Sequence, residues 1–123
     1  MIATEIASDV FALPTIHWER RLFDSLIPLP DGTSYNAYLV KGQDKIALID
    51  TADADKHDEL LSALDVMGVS IDYVVANHAE QDHAGGIPAV LERYPDATVL
   101  CTPKCKVMLV EHLLIGPCLL YTS

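Results

Sequence analysis

The sequence predicts a mixed α/β fold in a single domain, with strand hairpins first and strand–helix alternation after them. Three observations carry this. The chain has 123 residues, half of them apolar, which is the length of one domain with material for one core. Up to Asp50, apolar stretches are separated by turn-forming Pro, Gly and Asp. Beyond it, apolar residues recur at helical spacing between short strand-like runs. Periodicity gives the mixture of α and β and nothing finer.

Taken in order, Glu5 to Leu13 and His17 to Leu22 read as strands, with Pro14 as the break between them. Leu26 to Gly32 holds Pro28, Pro30 and the Asp31-Gly32 pair and reads as a loop. Tyr35 to Val40 and Lys45 to Asp50 are strands, joined as a hairpin through Lys41-Gly-Gln-Asp44. Asp53 or Asp55 can cap the next helix, whose apolar face is Leu60, Leu61, Leu64 and Met67. Gly68 ends it, because glycine accepts the left-handed backbone of a helix terminus. Ile71 to Ala76 is a strand. Gly86 to Arg93 is a short helix, with Pro88 in its first turn and Pro95 past its end. Ala97 to Cys101 is a strand and Pro103 to Leu114 a helix. There is no internal repeat, linker or low-complexity tract.

Eighteen acidic residues against eight basic ones leave a formal net charge of −10, which argues against nucleic acid or an anionic membrane as partner. No apolar run is long enough to span a bilayer, and no basic stretch leads into an apolar one as in a secretory signal. The expected location is the cytoplasm. Three cysteines cannot all pair within one chain. Cys101 and Cys105, four apart, match neither a redox Cys-x-x-Cys nor a zinc pair, and read as packed free thiols.

The chemistry is concentrated in residues 78 to 86, His-Ala-Glu-Gln-Asp-His-Ala-Gly-Gly, placed between a strand and a helix. His78, Glu80, Asp82 and His83 are all able to bind a metal. In an extended loop, side chains two apart point the same way, so His78 and Glu80 can share an ion. Asp82 and His83 are adjacent and point apart unless the chain turns, in which case they can serve a second ion. Imidazoles and carboxylates without thiolate suit iron, manganese or zinc. Gly85 and Gly86 let the backbone turn tightly into the helix.

His-x-Glu-x-Asp-His followed by Ala-Gly resembles the motif of the flavodiiron proteins, the oxygen and nitric oxide reductases of the metallo-β-lactamase superfamily. Most of that superfamily carries His-x-His-x-Asp-His, so Glu80 marks the variant. Ile16-His17-Trp18, Gly32-Thr-Ser-Tyr-Asn-Ala-Tyr-Leu-Val40, Ala47-Leu-Ile-Asp-Thr51 and Cys101-Thr-Pro-Lys104 are similar to the same family's amino-terminal third. The resemblance implies a metallo-β-lactamase-like αββα sandwich, with residues 1–116 as its amino-terminal half; residues 117–123, Pro-Cys-Leu-Leu-Tyr-Thr-Ser, read as a non-native tail, with a genuine frayed terminus as the alternative. It implies His78 and Glu80 on one iron, and Asp82 and His83 on the other, with the remaining ligands supplied downstream. Flavin mononucleotide is expected in a flavodoxin-like domain, rubredoxin or a flavin reductase as electron donor, and a homodimer as the assembled form. A half sandwich should leave an apolar sheet face uncovered and be inactive alone.

His17 resembles a family position near the metal pocket, where a histidine that is not a ligand can hydrogen-bond bound substrate; a packed strand histidine is the alternative. His57 and His112 read as surface residues. Asp50 can support a ligand histidine, or cap a helix or form a turn at Asp50-Thr51. Two other functions stand beside the reductase. One is a zinc-dependent hydrolase of thioesterase type, which Glu80 argues against. The other is a non-catalytic docking module, which the complete set of four ligands argues against.

Overall fold

A computed structural model describes residues 2–23 and 26–113 and the backbone of residues 120–122. The strands are β1 (Thr4–Ala7), β2 (Val10–His17), β3 (Leu22–Phe23), β4 (Ile27–Pro28), β5 (Thr33–Lys41), β6 (Ile46–Ile49), β7 (Tyr73–Val75), β8 (Thr98–Cys101) and β9 (Leu120–Thr122). The helices are α1 (His57–Met67), α2 (Gln81–Ala84), α3 (Ile87–Arg93) and α4 (Pro103–Leu113), with a 3₁₀ turn over Ala54–Lys56. Leu114, where the last helix was expected to end, lies outside the described residues, as do residues 117–119 and 123 of the expected tail.

Seven strands form one sheet in the order β1-β2-β5-β6-β7-β8-β9, and β3 and β4 form a separate ribbon. The first three pairings are antiparallel and the last three parallel. The hairpins-then-alternation order expected from sequence is therefore the order found. Each parallel step crosses by way of a helix and moves the same way along the sheet. Right-handed crossovers then put the helices on one face.

That face is the core. Leu39, Leu48, Val74 and Val99 are successive cross-strand partners, and all four are fully buried. Leu60 and Leu64 of α1, Ile87 and Val90 of α3 and Leu109 of α4 close over them in one cluster. Burying such a side chain contributes about 1.5–3 kcal/mol each. On the opposite face Tyr38, Ile49, Val75 and Leu100 form a second row of partners that stays partly open to solvent.

Helix α1 follows its expected pattern. Asp53 caps the 3₁₀ turn ahead of it, its Oδ1 accepting the Asp55 N–H at 3.1 Å. Gly68 ends it with φ +67°. Leu61 and Met67 lie on the flank, and Ala63 joins Leu60 and Leu64 in the buried face.

The amino-terminal strands differ from expectation. The single strand expected over Glu5 to Leu13 is a hairpin that turns at Ser8-Asp9, where Asp9 takes φ +59°. Pro14 is no break; it lies inside β2, opposite Asn36. Partners from β1 end at Ala12, so the flank of β2 at Pro14 is open, and a residue without an N–H is tolerated there. The strand expected from His17 is instead the end of β2, after which the chain turns at Trp18-Glu19. The loop expected over Leu26 to Gly32 contains β4, paired with β3.

Strand directions set the position of the site. β6 and β7 end where β2 ends and β5 begins, so His17, Tyr35, Asp50 and residues 77–86 share one end of the sheet. Among the described residues no helix is long and apolar enough to cross a membrane.

Candidate metal centre

The motif follows β7 directly. Asn77 and His78 donate their backbone N–H groups to Asp50 Oδ1, at 2.8 and 3.3 Å. The chain is extended at Glu80 (φ −66°, ψ 155°) and then coils into the single turn of α2. This is the turn that the Asp82–His83 pair needs. His78 Nε2 lies 3.4 Å from Glu80 Oε1, and His83 Nε2 lies 3.5 Å from Asp82 Oδ2. The two imidazoles stand edge to face with ring centres 4.9 Å apart. The four side chains thus form two adjacent His–carboxylate pairs. Among the described residues, no three His, Cys, Asp or Glu side chains are arranged to hold one ion.

The donor set fits metal binding in two respects. Donor atoms on neighbouring corners of a four-coordinate centre sit about 3.4 Å apart when each is about 2.1 Å from the ion. Both pairs have that spacing. Second, Asp82 Oδ1 is buried without a hydrogen-bond partner. A carboxylate oxygen in that state costs free energy unless a cation or donor meets it. The pairs open to solvent, with His78 and Glu80 about half exposed and Asp82 the most enclosed.

Asp50 organises the loop. It is 5% exposed and sits at φ +58°, a backbone state that Asp and Asn tolerate better than most residues. Its Oδ1 holds the two N–H groups before the motif, and its Oδ2 lies 3.2 Å from His83 Nδ1. A carboxylate there favours the tautomer with the proton on Nδ1 and leaves the Nε2 lone pair facing Asp82. Asp50 thus lies against His83 and also takes the left-handed backbone of a turn, so both arrangements open to it in the sequence are present.

Thr51 is a second organiser, and nothing in the local sequence marks it. Its N–H and its hydroxyl both donate to the His83 carbonyl at 2.7 Å, and the hydroxyl accepts the Gly86 N–H at 3.1 Å. Its partners are 32 and 35 residues away.

His17 is 8% exposed, and its Nδ1 lies 2.8 Å from the hydroxyl of Tyr35, itself 3% exposed. The structure places the pair at the motif's end of the sheet, with the hydrogen bond of His17 made to Tyr35 and not to the four motif side chains. Burial, and then the nearby Asp53 carboxylate, push the Tyr35 phenol up, so it keeps its proton as a donor. Asp53 is in turn paired with Arg20 at 3.4 Å. His112 is exposed and, with Glu80, Gln81 and Met108, lines a groove of about 430 Å³ beside the loop.

Burial also shapes the thiols. It raises Cys101, and pushes Cys105 up from 9.0 to about 11. Unfolded thiols ionise near 9, so above that pH the unfolded chain binds fewer protons than the folded one. Stability should therefore be flat below about pH 9 and fall by on the order of 2 kcal/mol by pH 11. The raised phenols of Tyr35 and Tyr94 add to the fall in the same direction. Urea midpoints measured from pH 7 to 11 check this; a midpoint constant across that range would contradict it.

Residues 30–116 match the family model of the metallo-beta-lactamase superfamily. The chain belongs to that superfamily. This metallo-beta-lactamase domain is 39% identical over 110 residues to a nitric oxide reductase of Moorella thermoacetica, covering 87% of the chain and 27% of that protein. It is 37% identical over 111 residues to a flavo-diiron protein of Clostridium acetobutylicum, covering 89% of the chain and 28% of the relative. Among solved structures, rubredoxin oxygen:oxidoreductase from Desulfovibrio gigas superposes with a TM-score of 0.87 at 31% identity, over 98% of this chain and 30% of that one. The superfamily domain therefore matches flavodiiron proteins over most of its own length while spanning less than a third of theirs, and the fold it shares with them is the metallo-β-lactamase fold.

Proposed function

We propose that residues 1–116 are the amino-terminal portion of the diiron domain of a flavodiiron oxidoreductase, which reduces dioxygen to water or nitric oxide to nitrous oxide. The observation that carries this is Glu80. A carboxylate stands 3.4 Å from His78 where the hydrolases of the superfamily have an imidazole. His78 and Glu80 would hold one iron, and Asp82 and His83 the other. Iron bound there would supply redox chemistry, with flavin mononucleotide in a further domain as the expected source of electrons. The chain's own contribution is geometric and electrostatic. Asp50, 3.2 Å from His83 Nδ1, would hold His83 in the tautomer that leaves Nε2 free to bind, and the turn of α2 places Asp82 beside it. The anionic Glu80 and Asp82 favour a more highly charged metal ion, which suits redox cycling more than hydrolysis.

With Nδ1 engaged by Tyr35, Nε2 is the nitrogen by which His17 would hydrogen-bond a bound substrate. The name of the Moorella relative supports nitric oxide as a substrate, and that of the Desulfovibrio protein supports oxygen, with rubredoxin as donor. A flavin reductase as donor and a homodimer complete the reading, and the net charge of −10 argues against nucleic acid or an anionic membrane as partner.

Glu80→His tests the reading in the longer protein that carries this domain. Replacing a carboxylate by a softer neutral imidazole should raise the diiron potential, lower reductase turnover and shift occupancy from iron toward zinc when both are supplied. Metal analysis and oxygen or nitric oxide consumption measure these. Wild-type iron content with wild-type turnover would remove the physical basis of the assignment.

A further inference from the structure

At the motif's end of the sheet two imidazoles have Nδ1 engaged by different kinds of group. His83 Nδ1 meets the Asp50 carboxylate at 3.2 Å, and His17 Nδ1 meets the Tyr35 hydroxyl at 2.8 Å. An ionised carboxylate can only accept, so it draws the His83 ring proton to Nδ1. A phenol can donate or accept, and burial decides between the two. Tyr35 is buried, and among the described residues the hydrogen bond of its hydroxyl is to His17. Its cross-strand partner Thr15 does not meet it, since the buried Thr15 Oγ1 has no partner at all among the described residues. Asp53, whose charge helps to raise the phenol, makes its own hydrogen bonds to Arg20 and the Asp55 N–H. Were the phenol to accept from an Nδ1–H, its own proton would be buried without an acceptor, a state that folded proteins avoid. The phenol proton therefore goes to Nδ1, and the ring proton of His17 is on Nε2. The pair stands close to the motif: α2, which carries Asp82 and His83, packs against β5, the strand of Tyr35.

We propose that Tyr35 is a positioning residue, which by donating to Nδ1 fixes His17 as an Nε2–H donor to a small ligand at the metal centre and keeps it from being a metal ligand itself. Two like rings are put to opposite uses by what meets Nδ1. An acceptor beside His83 leaves a lone pair for a cation; a donor beside His17 leaves an N–H for an acceptor. The ligand class that suits His17 is a small molecule or anion with an exposed lone pair. The contact with substrate rests on the diiron reading, whereas the tautomer rests on the Tyr35 hydrogen bond alone.

Nitrogen shifts of the histidine rings test the tautomer in the complete 123-residue chain, free of metal and at about pH 8, where free imidazole is neutral. The signals of His17 are those missing from His17→Gln. The expected spectrum has the His17 proton on Nε2 and a slowly exchanging Tyr35 hydroxyl proton correlated with Nδ1. Tyr35→Phe should keep the fold, remove that proton and leave the His17 ring as a mixture of both tautomers. In the longer protein that carries this domain, Tyr35→Phe should keep its metal and raise KM for dioxygen or nitric oxide by about 3–10-fold, the range of one hydrogen bond, with a smaller change in kcat. A wild-type His17 with its proton on Nδ1 overturns the proposal. So does an identical His17 spectrum in Tyr35→Phe, or an unchanged KM in an active longer protein. A longer protein that binds no iron and reduces neither gas removes the diiron reading instead, and the expected tautomer would still support Tyr35 as the group that sets the ring.

Discussion

Asp50→Asn is expected to leave the fold in place and to disable the loop as a metal site. Asparagine tolerates the φ of +58° at this position as aspartate does. Its carbonyl oxygen can still accept the N–H groups of Asn77 and His78. The second oxygen, however, becomes an NH₂ donor 3.2 Å from His83 Nδ1. Nδ1 must then accept, the ring proton moves to Nε2, and the nitrogen facing Asp82 loses its lone pair. Affinity for a divalent ion such as cobalt should fall by about 10–100-fold, while the urea midpoint changes little. The nitrogen shifts of His83 report the tautomer without any metal. An unchanged tautomer together with unchanged cobalt affinity would show that Asp50 does not set the ring. Asp50→Ala should do more. It leaves two N–H groups of the loop without an acceptor, about 1–3 kcal/mol each, and places in the left-handed region an alanine, which lacks the polar side chain that eases that conformation, at about 1–2 kcal/mol. That variant should lose cooperative unfolding or several kcal/mol of stability.

Gly85→Ala should destabilise by about 3 kcal/mol or more, the upper range for overpacking, because no neighbour can give way. A Cβ at Gly85 would lie 2.5 Å from the Gln81 carbonyl oxygen, 2.8 Å from the Ala54 nitrogen and 3.2 Å from the Ala52 carbonyl oxygen. All three are backbone atoms. Relief requires both opening the turn between Gln81 and Gly85 and moving it away from residues 51–54, and that motion breaks the Thr51–His83 and Thr51–Gly86 hydrogen bonds. Stability and the geometry of the Asp82–His83 pair should fail together. Gly68→Ala is the control. Its φ is +67°, but a Cβ there meets nothing within 4 Å, so only the backbone term of about 1–2 kcal/mol applies. Equal urea midpoints for the two variants would show that the close approach at Gly85 is relieved at little cost.

Much of this protein is determined by its sequence alone, because much of it is local. The identity and order of His78, Glu80, Asp82 and His83, the β5–β6 hairpin, the buried face of α1 and its stop at Gly68 all depend on spacings of a few residues. Side-chain periodicity and turn chemistry report such spacings directly. What only the tertiary structure decided are the contacts that cross from strand to strand. Asp50 meets His83 from 33 residues away, and Thr51 grips the same histidine's carbonyl from 32. His17 meets Tyr35 because the end of β2 lies against the start of β5. Pro14 sits inside a strand because β1 stops covering that strand at Ala12. In each case the partner is chosen by which strand ends share an edge of the sheet, a property of register and direction that no local window of the chain contains.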